Sequence, residues 1–460
     1  MENILNQLES KYLNFKLGEE QKEALLSIFS FIDTKGFEEY SFIGAAGTGK
    51  TTCIELIIRY LEQKKIPYQL VCPTHKSKKI LANTTNRDVI TIHQLLALKP
   101  SIDIMDLDMK DLKFDIKSSD SVPHDGVVII DECSMVNDVL YEAILESCKG
   151  KTCKVIFSGD SRQIAPVKQR RIAKTFECAK KSELTQVYRQ SGENCVRDVL
   201  DQLRKCPLKT FSECTSDKGS IFVYDNASDL IYNTIDLFKE AVETSNPNRI
   251  KLVAYTNKRV SAFNKCIRSH IFKQEDLPEY VKGDILFGYD GSECRGQTIE
   301  NSGDYQIQAA YKTTEEIAHI PMEGWWLDLY DFDQEQYKTV FVLSTDNDKS
   351  KFEQLGEEIE YIRQFAIQAQ GYKRKQAWTD YYKIMNTFLT PIDIVWDNRV
   401  IRCKSIDYGY AITSHKSQSS SFDNVAVDIN NILLCKDMTE VRQMEYVALS
   451  RTRRNVYLLN

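Results

Sequence analysis

No stretch of the 460 residues approaches the ~18 consecutive apolar residues that a membrane span requires, so no spanning helix is expected. The opening Met1-Glu2-Asn3-Ile4 lacks a basic segment followed by an apolar core, so no secretory leader is expected either. Thirteen cysteines are scattered without a C-x-x-C pair or a Cys/His cluster, the closest two being Cys148 and Cys153. That argues against a zinc site and points to reduced thiols in a soluble, cytoplasmic protein. Basic charge is not in excess: 60 Lys and Arg face 66 Asp and Glu, a formal net charge of −6. A non-specific nucleic-acid coat rests on surplus Lys and Arg and is disfavoured, whereas a motor that must also release its track is not. There is no repeat at a solenoid period. What remains is a globular composition, 42% apolar and 27% charged, in a chain long enough for two or more domains.

The stretch around which the chain is organised is Phe42 to Thr52, Phe-Ile-Gly-Ala-Ala-Gly-Thr-Gly-Lys-Thr-Thr. It has the G-x-x-x-x-G-K-[ST] spacing, set between an apolar strand end and the amphipathic run Ile54 to Leu61. Gly44, Gly47 and Gly49 let backbone N–H groups, with those of Thr48 and Thr52, converge on phosphates at a helix N-terminus. Lys50 is placed to reach the β- and γ-phosphates and the Thr51 hydroxyl to ligate Mg²⁺. The spacing predicts a site for a nucleoside triphosphate with Mg²⁺.

Upstream, Leu17 to Lys22 leads into an expected helix, Lys22 to Phe31, where Gln21 can pair with the donor and acceptor of an adenine edge or be a surface helix residue. Tyr68 to Cys72 reads as a buried strand ending in Pro73-Thr74-His75-Lys76, and Thr91-Ile92-His93 as a short motif at a helix start. A strand tip rich in Thr, His and Lys suits a phosphate backbone, or is a solvated helix start. Val127 to Ile130 is wholly apolar, as a buried parallel strand is, and ends in Asp131 and Glu132. Asp131 is expected to complete the Mg²⁺ shell and Glu132 to activate the attacking water. Val155 to Ser158 is a further strand with Gln163 beyond it as a candidate γ-phosphate sensor. Residues 100–126 break this pattern, alternating apolar and acidic side chains around the lone aromatic Phe114, and read as a small hairpin insert. A second α/β unit begins near Ser191, is interrupted from about 280 to 403 by β-rich pieces and a charged helical stretch, then resumes through Val425-Ala426-Val427 to Arg454.

This ordered set, from Gln21 to Arg454, resembles the motifs of superfamily 1 helicases, and within them the RecD-like, B-type branch that includes the Dda-like phage helicases. The quoted residues are Pro73-Thr74-His75 with Lys78-Lys79-Ile80-Leu81, Thr91-Ile92-His93, Thr256-Asn257 with Val260 and Asn264, His415-Lys416, and Ser450-Arg451-Thr452-Arg453. The resemblance implies an α/β fold of two RecA-like P-loop domains with ATP in the cleft between them. Domain 1A would span 1–100 and 127–190, and domain 2A 191–279 and 404–460. Subdomain 1B (101–126) would be a pin or wedge hairpin carrying Phe114, and subdomain 2B (280–403) would hold an SH3-like β-barrel with a helical appendage. Arg189 and Arg451 would be arginine fingers. Thr74, His75, Thr91, His93, Thr256, Asn257, Thr413 and His415 would contact single-stranded DNA.

The implied activity is ATP-dependent translocation along single-stranded DNA, 5′ to 3′, with unwinding of forked DNA. A single-strand-binding protein or replication proteins would be partners, the protein would act as a monomer, and a phage origin would place it in a host cytoplasm. Two departures stand out: Ser419 follows Gln418 where the family has glycine, and Ile164-Ala165-Pro166 replaces Leu-Pro-Pro. A glycine needed at positive φ would leave serine strained there. An RNA-directed helicase and a P-loop ATPase acting as an assembly switch remain alternatives, because the ATP motifs are shared and the 2′-OH decides at few contacts.

Overall fold

The computed structural model describes residues 1–45, 47–98, 120–164, 172–186, 195–204, 206, 208, 210–274 and 276–460. Six strands form the first sheet: β1 (Glu39–Gly44), β2 (Tyr68–Cys72), β3 (Val89–Thr91), β4 (Val127–Ile130), β5 (Lys154–Gly159) and β6 (Lys180–Leu184). All are parallel, in the order β3-β2-β4-β5-β1-β6. The unbroken apolar run of β4 follows from its position, because helices cover both faces. Val127 and Ile129 pack with Leu25, Ile28, Ile54 and Ile57 of the helices Glu19–Asp33 and Lys50–Lys64. Val128 and Ile130 pack with Ile144 and Cys148 of the helix Asp138–Lys149. The helix expected over 22–31 runs from Glu19 to Asp33, Gln21 lying in its first turn.

The second parallel sheet comprises β7 (Ile221–Tyr224), β8 (Ile250–Ala254), β18 (Ala411–Thr413), β19 (Phe422–Asp428) and β20 (Thr452–Leu459), in the order β18-β8-β19-β20-β7. Between β8 and β18 lie β9 (Ile285–Gly288), the hairpin β10 (Ser292–Cys294) and β11 (Gln297–Ile299), and the long strands β12 (Asp304–Ile317), β13 (Ile320–Asp331) and β14 (Gln336–Leu343). They are followed by the hairpin β15 (Ile394–Trp396) and β16 (Arg399–Arg402), and by β17 (Ile406–Tyr408). This insertion is antiparallel, β14-β13-β12-β9-β17, with its own apolar core. The charged stretch after β14 folds as two helices, Lys349–Gln368 and Gly371–Met385.

One carboxylate ties the three bodies together. Asp304, at the start of β12, accepts from Lys76 Nζ of the first domain at 2.9 Å and from Lys251 Nζ of the second at 2.8 Å. All three side chains are buried. Burial alone would raise the Asp304 carboxyl, yet the two ammonium groups hold it below its ordinary value. Phe114, Arg189 and most of the 101–126 insert lie outside the described residues. Among the described residues no helix is long and apolar enough to cross a membrane.

Candidate ATP site and nucleic-acid edge

The loop after β1 is shaped by what a side chain would collide with. Gly47 and Gly49 both sit at φ +85°. A β-carbon on Gly44 would lie 2.6 Å from the Thr48 hydroxyl, and one on Gly49 would strike the Gln21 amide nitrogen. That amide donates to the Thr48 carbonyl at 2.9 Å, while its oxygen accepts from the Gly18 N–H at 3.0 Å. Gln21 therefore buttresses the loop with both ends of its amide engaged. Lys50 Nζ donates to the Gly44 and Ala45 carbonyls at 2.5 and 3.1 Å, and Thr51 and Thr52 continue the first turn of the helix.

β5 lies between β1 and β4, so its C-terminal end meets both the loop and the acids. Ser158 Oγ donates to Asp131 Oδ1 at 2.8 Å. Burial raises the Asp131 carboxyl, against Lys50 and Ser158. Glu132 is held at φ +55°, uncommon for a non-glycine residue and the kind of outlier that functional sites retain. Its Oε2 is buried without a hydrogen-bond partner among the described residues. Burial first, then Asp131, raise its carboxyl; Arg451 and Lys50 oppose them. Thr51, Asp131, Glu132 and Ser77 line a cavity of about 50 Å³ together with Ser419 of the second domain. Ser419 stands at φ +59°, the left-handed conformation that a glycine would adopt without strain.

Arg451 ends the helix Met438–Ser450 and is 7% exposed. Its guanidinium donates to the Val447 and Ser420 carbonyls and to Ser450 Oγ, which fixes it beside the segment that carries Ser419. Two RecA-like sheets, with a P-loop and paired acids on one and a buried arginine on the other, frame a single cleft.

Comparison with known proteins places this arrangement. The AAA domain family matches residues 16–225, and the UvrD-like helicase C-terminal domain matches 408–459. The ATP-dependent DNA helicase dda of Enterobacteria phage T4 is 25% identical over 96% of this chain and 98% of its own length. The ATP-dependent RecD2 DNA helicase of Deinococcus radiodurans is 30% identical over 33% of this chain and 19% of its own. The chain is a superfamily 1 helicase of the RecD-like branch. This ATP-hydrolysing helicase also shares its fold with a Pif1 helicase solved in a study of unwinding at forked duplex DNA. The two are 16% identical, with a TM-score of 0.50 over 97% of this chain and 92% of that one.

In the helicase the remaining candidate residues sit at the C-terminal ends of parallel strands, the edge where open α/β sheets hold ligands. Thr74, Thr91 and Thr256 are helix N-caps, their hydroxyls accepting from the N–H groups of Ser77, Gln94 and Arg259. Thr413 ends β18 and accepts from the Lys416 N–H at 3.4 Å. Asn257 opens its helix exposed to solvent. His75 Nε2 lies 2.9 Å from Glu300 of the insertion and His415 Nε2 3.6 Å from Glu440. Burial lowers the pKa of His93, with His75 adding to it, and burial also lowers that of His415, so both rings are neutral at neutral pH. The Lys76–Asp304–Lys251 junction and a contact between Tyr446 and Asp160 were not found from sequence. Their partners are up to 286 positions apart and no local pattern joins them.

Proposed function

We propose that this helicase translocates 5′ to 3′ along single-stranded DNA and opens the duplex at a fork, driven by ATP hydrolysis in the cleft between its two RecA-like domains. The observation that carries the reading is the buried Glu132 Oε2, unpartnered among the described residues, on a carboxylate that feels the charge of Arg451 from the other domain, beside the P-loop. Similarity to the phage T4 DNA helicase along nearly the whole of both chains supports DNA as the track.

The residues fit the nucleotide and its metal. Gly47 and Gly49 take the left-handed φ with which a loop turns its N–H groups toward phosphates, and Thr51 and Asp131 line one cavity, enough for Mg²⁺, which takes one or two carboxylates plus substrate phosphates. Thr51 and Asp131 would hold Mg²⁺, which neutralises phosphate charge when bound. Lys50 and the loop N–H groups bind and orient the β- and γ-phosphates, with Gln21 supporting the loop and Gln163 sensing the γ-phosphate. Glu132 takes the proton of the attacking water at its free oxygen, and Arg451, with Arg189, stabilises the transferring phosphoryl group. Thr74, His75, Thr91, His93, Thr256, Asn257, Thr413 and His415 hold the strand along the sheet edges of domains 1A (1–100, 127–190) and 2A (191–279, 404–460).

The five-stranded sheet of the insertion is taken as the SH3-like part of subdomain 2B (280–403), and residues 101–126 as the 1B pin, with Phe114 stacking at the junction. The protein acts as a monomer in the cytoplasm, with single-strand-binding or replication proteins as partners. Unwinding of duplexes bearing only a 5′ or only a 3′ tail tests the polarity, and preference for the 3′ tail refutes it. ATPase assays with single-stranded DNA, RNA or neither test the track: stronger stimulation by RNA makes it an RNA motor, and no stimulation leaves an assembly-switch ATPase.

A further inference from the structure

The turn after β5, Asp160 to Ile164, carries Gln163 and is held by the second domain at both ends. At its start the Tyr446 hydroxyl donates to Asp160 Oδ2 at 2.8 Å. At its end Gln418 Nε2 donates to the Ile164 carbonyl at 3.0 Å. Asp160 and Tyr446 are each 1% exposed. Asp160 Oδ1 is already used within the turn, accepting from the Arg162 N–H at 3.0 Å, which leaves Oδ2 for the other domain. Arg204 lies over the Tyr446 ring, 5.7 Å from its centroid, and its Nη2 donates to the tyrosine hydroxyl at 3.5 Å. Burial and the nearby Asp160 carboxylate push the Tyr446 phenol up to about 12, so its hydroxyl remains a donor at working pH. Between the two anchors Gln163 is buried, and its Oε1 has no hydrogen-bond partner among the described residues. A buried acceptor left unpaired is costly and calls for a reason.

We propose that Tyr446 and Gln418 are positioning residues that set the Gln163 amide, so that competence for hydrolysis in the first domain depends on how the second is docked. The proposal rests on the ATPase reading above and on Gln163 meeting the phosphate. The same two segments also bear the cleft's other second-domain groups. Gln418 precedes Ser419, which lines the cavity, and Tyr446 lies on the helix that ends at Arg451. A rotation of the second domain would therefore pull on both ends of the sensor turn as it withdraws Arg451. Packed elements switch between discrete arrangements and do not deform continuously, so the turn would follow.

The test is a mutant cycle on kcat and KM for ATP, with saturating single-stranded DNA and melting temperatures recorded. Tyr446→Phe removes one hydroxyl and keeps the ring. Loss of a hydrogen bond to a charged group should lower kcat about tenfold. KM for ATP should stay within about twofold, because binding common to ground and transition states is untouched. In a Gln163→Ala background the same change should cost less than about twofold, because a residue acting through Gln163 has nothing left to position. Gln418→Ala should follow the same pattern, and it carries the cycle if Tyr446→Phe proves unstable. Losses that add fully to Gln163→Ala would overturn the proposal, as would a rise in KM with kcat unchanged. Wild-type turnover with unaffected variants would sink this proposal alone. A wild type without turnover would sink the ATPase reading and this proposal with it.

Discussion

Replacing Ser419 by glycine isolates one strained position in the interdomain cleft. Ser419 is 6% exposed and sits at φ +59°. A left-handed conformation costs an L-residue roughly 1–2 kcal/mol. Glycine avoids that cost, but its freer unfolded chain offsets about 0.4–1 kcal/mol of the gain. The serine hydroxyl donates to Met135 Sδ at 3.6 Å, a weak sulfur acceptor whose loss changes little. The balance is a stabilisation of about 0.5–1 kcal/mol. At about 2.1 cal/mol/K of unfolding entropy per residue, a chain of 460 residues gains roughly 0.5–1 °C in melting temperature from this. Ser419→Ala is the control: it keeps the β-carbon and the strain, loses the hydroxyl, and should not stabilise. Urea and thermal unfolding of the three proteins, without nucleotide, measure the difference. A glycine variant no more stable than wild type, or an alanine variant that gains as much, would refute the reasoning.

Glu132→Gln keeps shape but not basicity; it should bind ATP while turnover falls by about 10²-fold or more, and near-normal turnover would reassign the base. Arg451→Ala should lower turnover by roughly 10³-fold or more with ATP affinity little changed, and a tenfold loss or less in steady-state assays would count against a phosphate-facing role. Asp304→Asn leaves Lys76 and Lys251 buried without their shared counter-charge; it should cost about 3–5 kcal/mol in urea unfolding, and a cost below about 1 kcal/mol would deny the junction its structural weight. Burial pushes the Glu445 carboxyl up to about 7 from an ordinary 4.5. The folded state thus binds more protons than the unfolded one between these values, and stability falls as pH rises through that window. Glu445→Gln should flatten that slope, and an unchanged pH profile of stability would place the titration elsewhere.

Spacing and local chemistry were enough for much of this protein. The glycines, Lys50 and Thr51 of the loop can be read from sequence because their conformational and hydrogen-bonding demands are met within one strand–turn–helix. The apolar run Val127–Ile130 could be read as a buried parallel strand because burial on both faces removes the need for polar alternation. Boundaries were less legible: tertiary packing extends the helix read as 22–31 to Glu19–Asp33 and splits the charged stretch after 349 into two helices. Other features had no local signature. Gln21 could have faced a base or solvent, and the fold instead uses its amide to brace Gly49 and Thr48, a contact 27 residues away. A serine at position 419 was visible as a departure, but only the fold shows it at φ +59° and lining a cavity beside the acids. The sharing of Asp304 by two lysines and the grip of Tyr446 on Asp160 required three separate bodies to come together. Short-range spacing dictates what a turn or a strand end can bind, whereas the pairing of buried charges across domains is set by burial and docking, which no local run of residues encodes.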